Sequence, residues 1–291
     1  MATFYNRNGS TIDVGSGSSD FGVSDYALFT DNDGVLARQA ILTYQGKRLY
    51  PKNYPEQRVE NTKKYDGGVM LTLGDSYTAY MNTNFFTPFA EKHGLVQDNR
   101  GLASSTIAGS EDKITVGYHA FWVRLNEAIA EYEADGGYTI GDKEYTLEDV
   151  KLITFMGGAN DWYTVDEEQG VNRLGDITSE NKEQLYGACK YIFDTLLSKF
   201  PNADIVVILQ PSSEVKGNYV MHLKESIVKE CANMYSLPIC DCCFEWYNPS
   251  NPNDASTYWQ SDKLHLTDAG HQAIIDKLEN VVNNLPFSRS I

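Results

Sequence analysis

The chain has 291 residues, enough for one large α/β domain with a proper core plus an extension. Its formal net charge of −16 argues against nucleic acid, whose phosphates need Lys and Arg patches, and against anionic membrane surfaces. No basic cluster exceeds a dipeptide such as Lys63-Lys64, and no apolar run reaches the roughly 18 residues needed to span a bilayer.

The start, MATFYNRNGSTIDVGSG, lacks the charged-then-apolar pattern of a secretory signal. A cytoplasmic protein, a phage- or virion-associated one, and a secreted one with its signal removed all fit. Residues 1–66 read as an N-terminal extension. Within it, 6–34 is rich in Gly, Ser and Asp and reads as a loop or extended arm. Residues 41–44 and 47–50, flanking Gln45-Gly46, make a small hairpin ended by Pro51. The extension is expected to pack on the main domain, with contact to a partner or larger assembly as the alternative.

From residue 67 to 291 strand-like and helix-like segments alternate, the signature of a parallel sheet covered on both faces. Residues 69–73 form a short apolar run stopped by Gly74, a buried parallel strand. A turn-rich region follows Ser76, and then a helix opens at Thr87, with Pro88 in its first turn and Gly94 closing it. Next come a second strand at 95–98, a helix at 118–132, an inserted hairpin at 138–145 and a third strand at 150–156. The clearest helix spans 181–200, where Leu185, Cys189, Ile192, Phe193, Leu196, Leu197 and Phe200 make one apolar stripe. A fourth strand at 205–209, a helix at 220–236 and a fifth strand at 238–241 complete the sheet. After a long polar and aromatic loop, Thr267 caps a final helix running to residue 285. The five cysteines fit neither a disulfide framework nor a two-pair zinc site and read as buried reduced thiols.

Three places carry chemistry. Ser76, just past the first strand of the sheet, projects its hydroxyl into the crevice where open α/β sheets bind ligands. Asp262 and His265, three residues apart, share one side of a helical turn, so the carboxylate can hold one ring nitrogen while the other faces Ser76. Asn160, after the third strand, offers an amide to a developing oxyanion. Each pattern alone also fits an ordinary turn or surface pair.

Gly74-Asp75-Ser76, the segment 99–106, Gly158-Ala159-Asn160-Asp161 and Asp262-Lys263-Leu264-His265, in this order, resemble the four blocks of the SGNH/GDSL hydrolase family over roughly residues 67–285. The resemblance implies a three-layer α/β/α sandwich around a flavodoxin-like five-stranded parallel sheet. It implies Ser76 as nucleophile, His265 as general base and then acid, and Asp262 as the residue orienting His265. The oxyanion would be held by the Ser76 backbone N–H, a second backbone N–H after the second strand, and the Asn160 amide. Asp75 and Asp161 would support the reacting groups from behind or stabilise turns. Ser104 stands where the family pattern has a later glycine and is assigned the second N–H, with Gly101 as fallback.

The implied activity is a serine esterase working through an acyl-Ser76 intermediate, with no metal and no organic cofactor. Trp162 and Tyr163 follow the Asn160 block, and Trp246, Tyr247, Tyr258 and Trp259 crowd the loop before Asp262. Aromatic faces suit sugar rings, so Trp162, Tyr163 and Trp259 read as substrate-binding. The expected substrate is a short-chain, acetyl-type ester on carbohydrate. Lysophospholipase or thioesterase action, or a glycan-binding or assembly protein keeping the fold without catalysis, are the alternatives.

Overall fold

The computed structural model describes residues 2–5, 11–14, 21–30, 36–44, 47–49, 65, 67–110, 120–161, 173–213, 215, 218–244 and 251–285. The chain forms two compact units, Met1–Thr62 and Lys63–Ile291.

The first unit is antiparallel. Strand β1 (Ala2–Tyr5) pairs with β2 (Thr11–Val14), and β3 (Phe21–Thr30), β4 (Leu36–Tyr44) and β5 (Lys47–Leu49) form a second sheet. The expected hairpin is present, with Tyr44 opposite Lys47. The loop or arm expected over 6–34 is corrected, because β2 and the ten residues of β3 lie within it. Gly, Ser and Asp depress strand propensity there, and cross-strand pairing supplies what the local sequence lacks.

The second unit is built on five parallel strands, β6 (Val69–Gly74), β7 (Val96–Gly101), β10 (Val150–Met156), β11 (Asp204–Leu209) and β12 (Ile239–Asp241), in the order β7-β6-β10-β11-β12. A small hairpin, β8 (Tyr138–Ile140) and β9 (Lys143–Tyr145), precedes β10. Every residue of β6 is buried, as a central strand covered on both faces requires. Edge strand β7, VQDNRG, is mostly half-buried and polar, which is why it reads weakly in sequence.

Alternation along the strands divides the core. Leu71, Leu73, Ile153, Phe155, Val207 and Leu209 face one layer, packed on α3 (Phe121–Glu133), α4 (Leu185–Lys199) and α5 (Asn218–Met234). Met70, Leu152, Met156, Val206 and Ile208 face the other, against α2 (Thr87–Lys92) and α7 (Asp268–Asn284). The result is the expected three-layer sandwich. Thr267 caps α7 as read, its hydroxyl accepting the Gly270 N–H. Two stretches read as turn or loop are helical: α1 (Ser76–Tyr80) with a π-helical turn, Asn82–Phe86, and α6 (Pro252–Tyr258). All five cysteines are free and buried. Among the described residues no helix is long and apolar enough to cross a membrane.

The strand order reverses direction of growth between β6 and β10. Their carboxyl ends therefore flank the crevice where ligands enter such sheets, and Ser76 and Asn160 both follow those ends.

Candidate active site

The turn that bears Ser76 is tight by construction. A Cβ on Gly74 would run into the Thr78 side chain and the Met156 carbonyl, so only glycine lets β6 pass directly into α1. Asp75 caps that helix, its Oδ1 accepting the Tyr77 N–H at 3.0 Å. Ser76 is thus the first helical residue, and its own N–H has no acceptor within the helix.

His265 sits on a loop pinned from several sides. Trp259 and Leu266 form a β-bridge, the Gln260 N–H donates to the His265 carbonyl at 2.8 Å, and Ser213 Oγ donates to the Lys263 carbonyl at 3.0 Å. The Tyr77 hydroxyl, arriving from α1, donates to the Leu264 carbonyl at 2.5 Å. Lys263 takes a left-handed φ of 55°, closing the turn between Asp262 and His265. Asp262 Oδ1 accepts the Leu264 and His265 N–H groups at 3.0 Å each, and Oδ2 lies 2.7 Å from His265 Nδ1. Partial burial would raise the Asp262 pKa, but these donors outweigh it and hold the carboxyl below its ordinary range. His265 Nε2 lies 3.3 Å from Ser76 Oγ. Ser76, His265 and Asp262 are therefore brought together in one hydrogen-bonded line.

The other two candidate donors, Ser104 and Asn160, lie on the loops that follow β7 and β10. Ser104 has φ 67°, a left-handed conformation that costs a side-chain-bearing residue about 1–2 kcal/mol. Serine here occupies the backbone geometry in which glycine would be unstrained. Neighbouring bonds fix the loop: the Leu102 N–H donates to the Gly74 carbonyl at 3.0 Å, and Arg124 Nη1 reaches the Gly74 carbonyl and Ser105 Oγ at 3.2 Å each. Asn160 Nδ2 donates to the Ser105 carbonyl at 3.1 Å, which leaves the second amide hydrogen available. Gly101, the fallback donor, is unsuited: its N–H is committed to Asn99 Oδ1 at 2.6 Å.

Behind the two turns runs a buried polar network, of which sequence reading named Asp75 and Asp161 but missed Gln210, Lys224 and Glu225. Gln210 Nε2 donates to both Asp75 oxygens at 2.9 Å, and Gln210 Oε1 accepts the Ala159 N–H at 2.6 Å. Lys224 Nζ donates to the carbonyls of Gly158 and Ala159 at 3.0 and 3.3 Å, and Glu225 Oε2 accepts the Gln210 N–H at 3.0 Å. Asp161 binds the Ile107 and Ala108 N–H groups at 2.9 Å each. Burial pushes the Asp75 carboxyl up to about 7 and Asp161 to about 6, and Glu225 well above its usual range. One signal was available: Met221, Glu225, Val228 and Ala232, all fully buried, fall on one helical face, so Glu225 is a charge on an apolar stripe.

The expected aromatic contacts fare differently. Trp162, Tyr163, Trp246 and Tyr247 lie outside the described residues. Trp259 is 4% exposed and packs in the α7-side core, so its expected role as a substrate platform is corrected. Its position in the β-bridge under the His265 loop turns the indole inward.

A family model described as GDSL-like Lipase/Acylhydrolase matches residues 72–273. No curated protein matches the chain. Among solved structures, one aligns with a TM-score of 0.55 at 19% identity, over 77% of this chain and 99% of its own. A protein from Lactobacillus plantarum aligns with a TM-score of 0.53 at 23% identity, over 74% and 96%. A lipase/acylhydrolase from Enterococcus faecalis is 15% identical over 77% and 100%, with a TM-score of 0.47. The first two show a shared fold.

Proposed function

Since the chain belongs to the GDSL-like lipase/acylhydrolase family and so to the ester hydrolases, we propose that it cleaves carboxylic esters through an acyl-Ser76 intermediate. The observation that carries this reading is the unbroken line from Asp262 Oδ2 to His265 Nδ1 at 2.7 Å and from His265 Nε2 to Ser76 Oγ at 3.3 Å. His265 takes the Ser76 proton as Oγ attacks the acyl carbon, and Asp262 keeps the imidazole in the tautomer that can accept it. The carbonyl oxygen gains charge against the Ser76 N–H, the Ser104 N–H and the free Asn160 amide hydrogen. His265 then protonates the departing alcohol. Water, deprotonated by the same imidazole, cleaves the acyl-enzyme and regenerates Ser76.

The ester is proposed to be short-chain, an acetyl group on carbohydrate. Polar groups surround the reacting line, with Ser104 and Asp262 exposed and Asn160 half-buried, and the charge of −16 disfavours an anionic lipid surface. The test compares hydrolysis of 4-nitrophenyl acetate and octanoate, before and after treatment with a serine-directed organophosphonate. Faster acetyl turnover, lost on treatment, is expected. Activity that survives the inhibitor would sink the acyl-serine mechanism, and an octanoate preference would sink the short-chain assignment.

A further inference from the structure

Among the described residues few large apolar side chains stand exposed, and one of them, Tyr80, adjoins the reacting line. It lies four residues after Ser76 on α1, on the same helical face. Its ring meets the His265 ring at 5.0 Å between centroids with an interplanar angle of 61°, while 51% of the residue remains open to solvent. A single exposed aromatic is ordinary on a protein surface. Its place beside the imidazole gives it a direction.

The proton that His265 removes from Ser76 is handed to the leaving oxygen, so the alcohol half of the ester must pass against Nε2. The acyl oxygen is taken instead by the Ser104 and Asn160 donors, on the loops that follow β7 and β10. A ring flanking the imidazole therefore borders the alcohol. We propose that Tyr80 is the alcohol-side specificity residue, stacking its open face on the apolar face of a sugar ring whose acetyl ester is being cleaved. This rests on the esterase reading above. A flat π-face suits the row of C–H groups on a pyranose. The Asp262 carboxylate, 46% exposed, already takes two N–H groups on Oδ1 and His265 Nδ1 on Oδ2, and its one remaining lone pair, on Oδ2, can accept a sugar hydroxyl, a match that a simple alkyl or aryl alcohol lacks.

The experiment measures kcat/KM for ethyl acetate, 4-nitrophenyl acetate and a methyl glucopyranoside carrying one acetyl group, in the wild type, Tyr80→Ala and Tyr80→Trp. In Tyr80→Ala the ratio of sugar acetate to ethyl acetate should fall about tenfold, and in Tyr80→Trp it should stay within about threefold. Should Tyr80→Ala not fold, Tyr80→Leu, which keeps bulk without a flat face, carries the same expectation. An unchanged ratio, or equal losses on both esters, overturns the proposal by reducing Tyr80 to a packing residue. A loss confined to the aryl ester overturns the sugar assignment. A wild type inert towards all three esters overturns the esterase reading itself, and this role with it.

Discussion

One nitrogen, Gln210 Nε2, holds both carboxylate oxygens of Asp75 at 2.9 Å. Because Gln210 Oε1 also takes the Ala159 N–H at 2.6 Å, a single neutral side chain couples the turn bearing Ser76 to the turn bearing Asn160. These two turns follow different strands, and nucleophile and oxyanion donor must be spaced correctly relative to each other. Gln210→Leu should lower kcat by about tenfold to a hundredfold with KM nearly unchanged, the size expected for misplacing a donor by about 1 Å. Steady-state kinetics check this; a rise in KM with kcat intact would refute the positioning role.

Removing the nucleophile or the base should be far more severe. Ser76→Ala and His265→Ala are each expected to reduce turnover by roughly 10⁴-fold or more, and the double variant should be little worse than either alone. Asp262→Asn should cost about 10⁴-fold through the wrong imidazole tautomer. Labelling by an organophosphonate, followed by mass spectrometry, should place the adduct on Ser76 and vanish in Ser76→Ala.

The amide opposite this line has a smaller, separable effect. Asn160→Ala should lose about 10²-fold to 10³-fold in kcat. The same variant also frees the Ser105 carbonyl, now bonded at 3.1 Å, so melting temperature should be followed alongside rate. A rate loss that tracks unfolding would count against the oxyanion role.

His271 gives the fold an acid-sensitive point outside the reacting line. It is 5% exposed, its Nδ1 has no partner, and its ring packs edge-on against Phe85 at 5.0 Å. Burial pushes its pKa down to about 4. A depressed histidine is neutral in the folded chain while the unfolded chain still binds its proton, so stability is full above about pH 6.5 and is lost as pH falls towards 4. Denaturant titrations at pH 7 and 4.5 should show His271→Phe losing distinctly less stability on acidification than the wild type, by a difference on the order of 2 kcal/mol. Parallel behaviour of the two proteins would exclude His271 as the cause. The raised Asp75 and Asp161 carboxyls work in the opposite sense, favouring the folded state at low pH and losing that advantage towards pH 7.

The sheet was legible because its central strands are short, mostly apolar runs, and β6, β10 and β11 fall where those runs lie. Ser76, Asn160, Asp262 and His265 each follow a strand or share a turn, a pattern that alone fits an ordinary turn as well, and it was the resemblance of four ordered blocks to the SGNH/GDSL family that singled them out. Tyr80 was not legible, since its contact with His265 depends on α1, and GDSYTAY reads as a turn until Asp75 is seen capping a helix. Gln210 and Lys224 were hidden for a different reason. Gln210 bonds the Asp75 carboxylate and the Ala159 N–H, and Lys224 the Gly158 and Ala159 carbonyls, and no periodicity encodes partners so far away in the chain. Trp259 misled because an aromatic near a motif looks the same in sequence whether its face is open or turned into the core.

The bond from the Tyr77 hydroxyl to the Leu264 carbonyl joins positions 187 residues apart. A fragment ending short of Leu264 would forfeit the imidazole and also lose both the acceptor of the Tyr77 hydroxyl and the α7 side chains that share its core, where Tyr77 is now 1% exposed. The amino-terminal half of the sandwich thus cannot keep its own serine turn in repair. Split halves of this protein should regain function only by reassembling, with the late segment acting as a missing part of the early one.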